Sequence, residues 1–187
     1  DWCQQRNILF VLDESFIDFS VEHPTFFKDD ILEQYSNLVV IKSISKSYGV
    51  PSLRLGILAT SNVDIMTVIR RSVSIWNINS FAEFFLQILG KYEASYQQAM
   101  DEFRAERARF VDELHKIGFL RVLPSEANYL LCEVKQSHTP RELAIRLLKD
   151  YDILIKDCTS KCNAPYIRIA VRDTVDNNRL IDAFSKL

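Results

Sequence analysis

Leu38-Val39-Val40-Ile41-Lys42-Ser43-Ile44-Ser45-Lys46-Ser47-Tyr48-Gly49 decides how this chain is read. It opens with a continuous apolar, largely β-branched run, which reads as a strand buried on both faces. It then breaks into a loop carrying hydroxyls and a lysine. Two runs of the same kind flank it. Ile8 to Leu12 ends at Asp13-Glu14, and Leu55-Gly56-Ile57-Leu58-Ala59-Thr60 follows. Continuous apolar strands with polar connections are the signature of an α/β layer. In open α/β sheets, ligands sit beyond the carboxyl ends of the strands. Two such ends are chemically loaded here: Leu12-Asp13-Glu14-Ser15-Phe16, and Lys42 to Gly49.

Beyond these strands, Asn62 is placed to cap a helix through about Ser72. After Asn79 the period changes. Phe81, Phe84, Phe85, Ile88 and Leu89 recur at helical spacing. Met100, Phe103, Phe110, Leu114 and Ile117 make one stripe of a second helix, with Gly118 as its expected left-handed terminus. Its other face, with Arg104, Glu106, Arg107, Arg109, Asp112 and Glu113, reads as solvated. Strands are expected at Phe119–Leu123, Tyr129–Val134, Ile153–Ile155 and Tyr166–Val171, with a short loop between Cys158 and Tyr166. Thr139-Pro140-Arg141-Glu142 is a capping box with Pro at the first helical position. Asp173-Thr174 starts a final helix. The chain divides near residue 91, giving part of a doubly wound layer over 1–90 and a smaller α+β unit over 91–187.

Composition excludes several alternatives. The chain has 187 residues, 48% of them hydrophobic and 26% charged, with 4 Gly and 5 Pro, which describes an ordinary globular protein. Its glycines are too far apart for a Gly-rich phosphate loop. The net charge of −2 offers no basic excess for nucleic acid. No apolar run reaches the roughly 18 residues of a membrane span. Cys158 and Cys162 lack a second ligand pair, so no metal site is expected. Cys132, inside an apolar run, reads as a buried thiol. The cysteine pattern fits a reducing, cytoplasmic compartment.

Taken together, Val11-Leu12-Asp13-Glu14-Ser15-Phe16 and Ser43-Ile44-Ser45-Lys46-Ser47-Tyr48-Gly49-Val50-Pro51-Ser52-Leu53-Arg54-Leu55-Gly56 resemble a known motif pair. It is that of the pyridoxal-phosphate (PLP) enzymes of fold type I, aminotransferase class I/II. The closest branch is that of the histidinol-phosphate aminotransferases and threonine-phosphate decarboxylases. The resemblance continues at Trp76-Asn77-Ile78-Asn79-Ser80, at Pro124 to Leu131, at Ile155-Lys156-Asp157-Cys158 and at Tyr166 to Arg172. It thus covers essentially the whole chain in family order. It implies an α/β fold, part of the large PLP-binding domain with a mixed, mostly parallel sheet. A small α+β C-terminal domain follows.

The resemblance also implies roles. Lys46 is the lysine that forms the Schiff base with the cofactor aldehyde and later moves the α proton. Asp13 is a buried carboxylate that keeps the pyridine nitrogen protonated. Ser43, Ser45 and Arg54 hold the phosphate, and Phe16 lies at the ring. Arg168 takes the substrate carboxylate, with Asn79 and Lys156 on the substrate side. Aminotransferases usually carry Tyr where Phe16 stands, and the Asp-Glu-x-Phe form resembles the decarboxylase branch. Lys156 replaces an Arg frequent in the family.

The family's N-terminal arm and the first half of its large domain have no counterpart here. The chain therefore resembles the C-terminal half of such an enzyme, inactive alone and homodimeric when whole. The expected activity is PLP-dependent transfer of an amino group between an amino acid or phosphorylated amine and a keto acid. The alternatives are decarboxylation of a phosphorylated amino acid and a non-catalytic assembly domain.

Overall fold

The computed structural model describes residues 1–135 and 137–187, which divide into two compact units, Asp1–Gln98 and Ala99–Leu187. The first unit holds three strands, β1 (Phe10–Asp13), β2 (Leu38–Ser43) and β3 (Gly56–Ala59). β1 and β2 run parallel, joined through α1 (Asp29–Gln34), because a parallel pair needs a crossover. β2 and β3 run antiparallel, so β2 is central and the sheet is mixed. Leu38, Val39 and Val40 of β2 are buried.

The outer strands depart from expectation. Ile8 to Leu12 was expected as a fully buried strand. The strand begins two residues later, and Phe10 and Val11 are 45% and 52% exposed. β1 has a single neighbour in this sheet. Its apolar run therefore records what both faces are suited to contact, not cover supplied within this unit.

Helices α2 (Val63–Ser72) and α3 (Ser80–Leu89) start where the sequence signals them. Asn62 Oδ1 accepts from the Ile65 amide at 3.0 Å, and Asn79 Oδ1 from the Ala82 amide at 2.9 Å. Helix α4 (Glu93–His115) begins in the first unit and continues into the second.

The second unit pairs β4 (Leu120–Val122), β5 (Tyr129–Val134), β6 (Lys156–Asp157) and β7 (Tyr166–Ala170) in the order β4-β5-β7-β6, antiparallel throughout. Leu130, Cys132 and Val134 of β5 share one face with Ile167 and Ile169 of β7, as a period of two requires. Helices α5 (Pro140–Tyr151) and α7 (Thr174–Phe184) cover that face with Leu143, Leu147, Leu180 and Phe184. The capping box is formed: the Glu142 amide donates to Thr139 Oγ1, and the Thr139 amide to Glu142 Oε2. Burial pushes the Cys132 thiol up to about 12, so it packs as a small apolar side chain.

Four local expectations fail in this unit. Ile153–Ile155 is not a strand. The chain leaves α5 through Asp152 in the left-handed region (φ 56°), and only Lys156–Asp157 pairs with β7. Gly118 does not terminate α4, which stops at His115. There the Glu113 and Leu114 carbonyls accept from Lys116 and Ile117 in a tightened last turn. The segment after Cys158, expected as loop, opens with a short helix α6 (Thr159–Cys162).

The charged face of α4 is not wholly solvated either. Arg107 is 5% exposed and donates to the Ala127 carbonyl at 3.0 Å, with Glu126 3.9 Å away. Glu106 accepts from Arg109, Thr174 and Asn177, which fastens α7 to α4. Among the described residues no helix is long and apolar enough to cross a membrane.

Candidate active site

The parallel register sets Asp13 beside Ile41, so the carboxyl ends of β1 and β2 lie side by side. Residues from two distant stretches of sequence meet there. Asp13 Oδ1 accepts from the Ser15 amide at 2.9 Å and from Ser15 Oγ at 2.5 Å, an Asx turn reinforced by a hydroxyl. These Ser15 hydrogen bonds, helped by the Lys46 charge, hold the Asp13 carboxyl below its ordinary value. Asp13 was expected as a buried carboxylate and is exposed. Its Oδ2 accepts no hydrogen bond among the described residues. Next to it Glu14 is buried and turned away. Its two oxygens accept from Thr25 Oγ1 and the Phe26 amide, both at 2.6 Å.

The loop after β2 is anchored at two points. Ile44 is buried with Leu55 and Ala82, and Ser47 is buried beyond it. Ser43 and Ser45, on either side of Ile44, are half-buried, and Lys46 is exposed. Ser43 Oγ and Ser45 Oγ lie 2.7 Å apart. Lys46 Nζ sits over the Phe16 ring, 4.7 Å from its centroid, a cation–π contact between the two strand ends. Gly49 ends the turn at φ +66°, where a side chain would be strained.

Beneath the loop, Lys42 Nζ pairs with Asp18 Oδ1 at 2.5 Å, both side chains mostly buried. Burial pushes the Asp18 carboxyl up, but the Lys42 hydrogen bond and charge, with the buried Ser47 and Tyr96 hydroxyls close by, outweigh it and lower the carboxyl. The Tyr96 ring stacks on Tyr48 with centroids 4.1 Å apart, and burial raises both phenols.

Arg54 stands in the left-handed region (φ 57°) after the short turn Pro51–Leu53. Its guanidinium donates to the Pro51 carbonyl at 3.1 Å. Asn79, expected on the substrate side, uses both ends of its amide within the chain: Oδ1 caps α3 and Nδ2 donates to the Leu53 carbonyl at 3.1 Å. It thereby steadies the backbone that carries Arg54.

Lys156 and Arg168 lie in the second unit, directly paired across β6 and β7. The Arg168 guanidinium lies over the Tyr129 ring, 5.2 Å from its centroid. The first unit thus brings together Asp13, Phe16, Ser43, Ser45 and Lys46, and the second brings together Lys156 and Arg168.

Sequence reasoning passed over Ser15, Asp18, Lys42 and Tyr129. Ser15 had a readable signal, since a hydroxyl two residues after an Asp at a strand end favours an Asx turn. The Lys42–Asp18 pair had none, because its partners meet only after β1 and β2 have paired.

The donor set fits PLP: an exposed amine, a carboxylate kept charged with one oxygen unengaged, and paired hydroxyls. Comparison with known proteins agrees. Residues 1–184 match the family described as aminotransferase class I and II. Threonine-phosphate decarboxylase of Salmonella typhimurium is 35% identical over 185 residues, covering 98% of this chain and 50% of that protein. The solved histidinol-phosphate aminotransferase of Clostridium acetobutylicum superposes with a TM-score of 0.88 at 30% identity, covering 99% of this chain and 55% of that one. The histidinol-phosphate aminotransferase of Sinorhizobium meliloti, solved in complex with pyridoxal-5'-phosphate, shares the fold with a TM-score of 0.76 at 21% identity, over 96% and 48%. The chain spans about half the length of each of these proteins. Its mixed α/β architecture is theirs, and the chain belongs to the aminotransferase class I and II family, whose cofactor is pyridoxal 5'-phosphate.

Proposed function

We propose that the whole protein to which this chain belongs is a PLP-dependent aminotransferase acting on an amino acid or phosphorylated amine. One observation carries the reading: β1 and β2 bring the Asp13 carboxylate, the Lys46 amine and the Ser43–Ser45 hydroxyl pair together at their carboxyl ends. When bound, PLP draws electrons from the α carbon of an amino-acid substrate.

The chain's own residues supply the rest. Lys46 Nζ would hold the cofactor through its aldehyde, and as a free amine would move the substrate's α proton as general base. Asp13, held as the anion by Ser15, would hold the pyridine nitrogen in its protonated form. Ser43 and Ser45 are hydroxyl donors, and Arg54 a guanidinium, for the phosphate. Phe16 covers the Lys46 ammonium with an apolar ring and offers no hydroxyl. Arg168, with Lys156 across the strand pair, takes the substrate's anionic groups. On this reading the 187-residue chain alone is inactive. The rest of the large domain and a second copy complete the site in the cytoplasm.

A second reading, decarboxylation of a phosphorylated amino acid, is favoured by Phe16 and by the 35% identity to the Salmonella decarboxylase. It keeps the same residues and differs in which bond at the α carbon is broken.

The test uses the full-length protein loaded with PLP. A visible absorbance band of the bound cofactor is expected, and Lys46→Ala removes it. A protein that takes up no PLP overturns both readings. With amino-acid donors, a keto-acid product supports transfer, and released carbon dioxide supports decarboxylation.

A further inference from the structure

Ser15 is 6% exposed, yet it makes three polar contacts at the site. Its amide and its hydroxyl both reach Asp13 Oδ1, at 2.9 Å and 2.5 Å, and its Oγ lies 2.9 Å from the Ser43 amide. An amide N–H can only donate, so Ser15 Oγ accepts from Ser43, and its single proton goes to Asp13. Ser43 Oγ in turn contacts Ser45 Oγ at 2.7 Å. Asp13, Ser15, Ser43 and Ser45 are thus linked in series.

We propose that Ser15 is a positioning residue that couples the carboxylate end of the site to its hydroxyl end. It does so through one buried hydroxyl and fixes both relative to the cofactor. This rests on the PLP reading above. Two donors on Oδ1 stop the carboxylate from rotating and leave Oδ2 as the oxygen directed to ligand. The same Oγ holds the end of β2, where the Ser43–Lys46 loop begins. A displacement at either end is passed to the other. The charged groups around it are otherwise committed: Glu14 to Thr25 and Phe26, Lys42 to Asp18, and Lys46 over Phe16.

The Ser15 hydroxyl also sets how far pH can fall before Asp13 is neutralised. The Ser15 hydrogen bonds lower the Asp13 carboxyl, so it stays charged as pH falls. Without the hydroxyl the carboxyl moves back toward its ordinary value and is neutralised at a higher pH. A neutral Asp13 no longer holds a cationic ring.

The experiment compares full-length wild type, Ser15→Ala and Ser15→Thr, each loaded with PLP. Cofactor retention is read by dialysis at neutral pH. The pH at which the cofactor's visible absorbance is lost is read on acidification. Ser15→Ala is expected to release PLP about tenfold more readily, the scale of one lost charge-assisted hydrogen bond. Its acid limb is expected to move upward, while Ser15→Thr, which keeps the hydroxyl, stays near wild type.

Thermal unfolding of the cofactor-free proteins separates this from a stability defect, which would not move the limb. Where Ser15→Ala does not fold, Ser15→Cys, with a weak donor of similar shape, carries the same test. Wild-type retention and limb in Ser15→Ala or its substitute overturn the proposal, as does a Ser15→Thr protein no better than Ser15→Ala. If wild type itself takes up no PLP, the functional reading fails and the coupling role falls with it.

Discussion

The two units spend their apolar residues differently. In Ala99–Leu187 a single cluster joins Phe110 and Leu114 of α4 to Leu143 and Leu147 of α5, to Ile167 and Ile169 of β7, and to Leu180 and Phe184 of α7. In Asp1–Gln98 the buried cluster is Ile44, Leu55 and Ala82, while Phe10, Val11, Ile57, Trp76 and Phe81 are exposed. The unit with the closed core carries the Arg168–Lys156 pair. The unit with the open sheet carries the Lys46 amine, the Asp13 carboxylate and the hydroxyls. Chemistry here is placed on strand ends held by polar contacts, and packing is concentrated elsewhere.

Truncation tests this contrast most severely. Leu147→Ala empties a fully buried site, so chemical denaturation should show a loss of about 2–5 kcal/mol. Ile57→Ala, on the half-exposed edge of the first unit, should stay within about 0.5 kcal/mol. Equal losses at the two positions would erase the difference between the units.

A smaller effect comes from the helix start. Thr139→Ala breaks a formed capping box and should lower the second unit's stability by about 1 kcal/mol in the same measurement. A change near zero would show that α5 is held by its apolar face alone.

The smallest effect is a pH dependence. Hydrogen bonds from Arg109 first, then from Asn177 and Thr174, lower the Glu106 carboxyl from 4.5 to about 2, against burial. Its contribution is therefore complete above about pH 4.5 and fades as pH falls toward 2. Glu106→Gln should flatten that part of the stability profile. An unchanged acid limb would mean that α7 stays fastened to α4 without this charge.

Local signals were legible where the interaction is local. Asn62, Thr139-Glu142 and Asp173 each satisfy an amide three residues away, and all three cap helices as read; Asn79 caps α3 at the same spacing, a role not read from the sequence. The positions that failed depend on contacts far along the chain. Arg107 reads as one more charge on a solvated face until the Ala127 carbonyl is folded over it. Ile153–Ile155 is apolar enough for a strand, but pairing begins only at Lys156. At the site, the lysine, carboxylate, hydroxyls and arginine were all visible as residue types at strand ends. Their supports were not: Asp18 lies 24 residues from Lys42, and Ser15 lies 28 from Ser43.

The sequence by itself determined the main apolar strands and long helices, the caps at Asn62, Thr139 and Asp173, and the chemical inventory from Asp13 to Arg168. Those follow from hydrophobic period, short-range hydrogen bonds and side-chain chemistry. Only the tertiary structure decided that Asp13 is exposed and held by Ser15, that Lys46 rests on Phe16, and that Asn79 spends its amide on α3 and Leu53. These are relations between segments, set by the pairing of β1 with β2 and by packing. No spacing within a single stretch of chain encodes them.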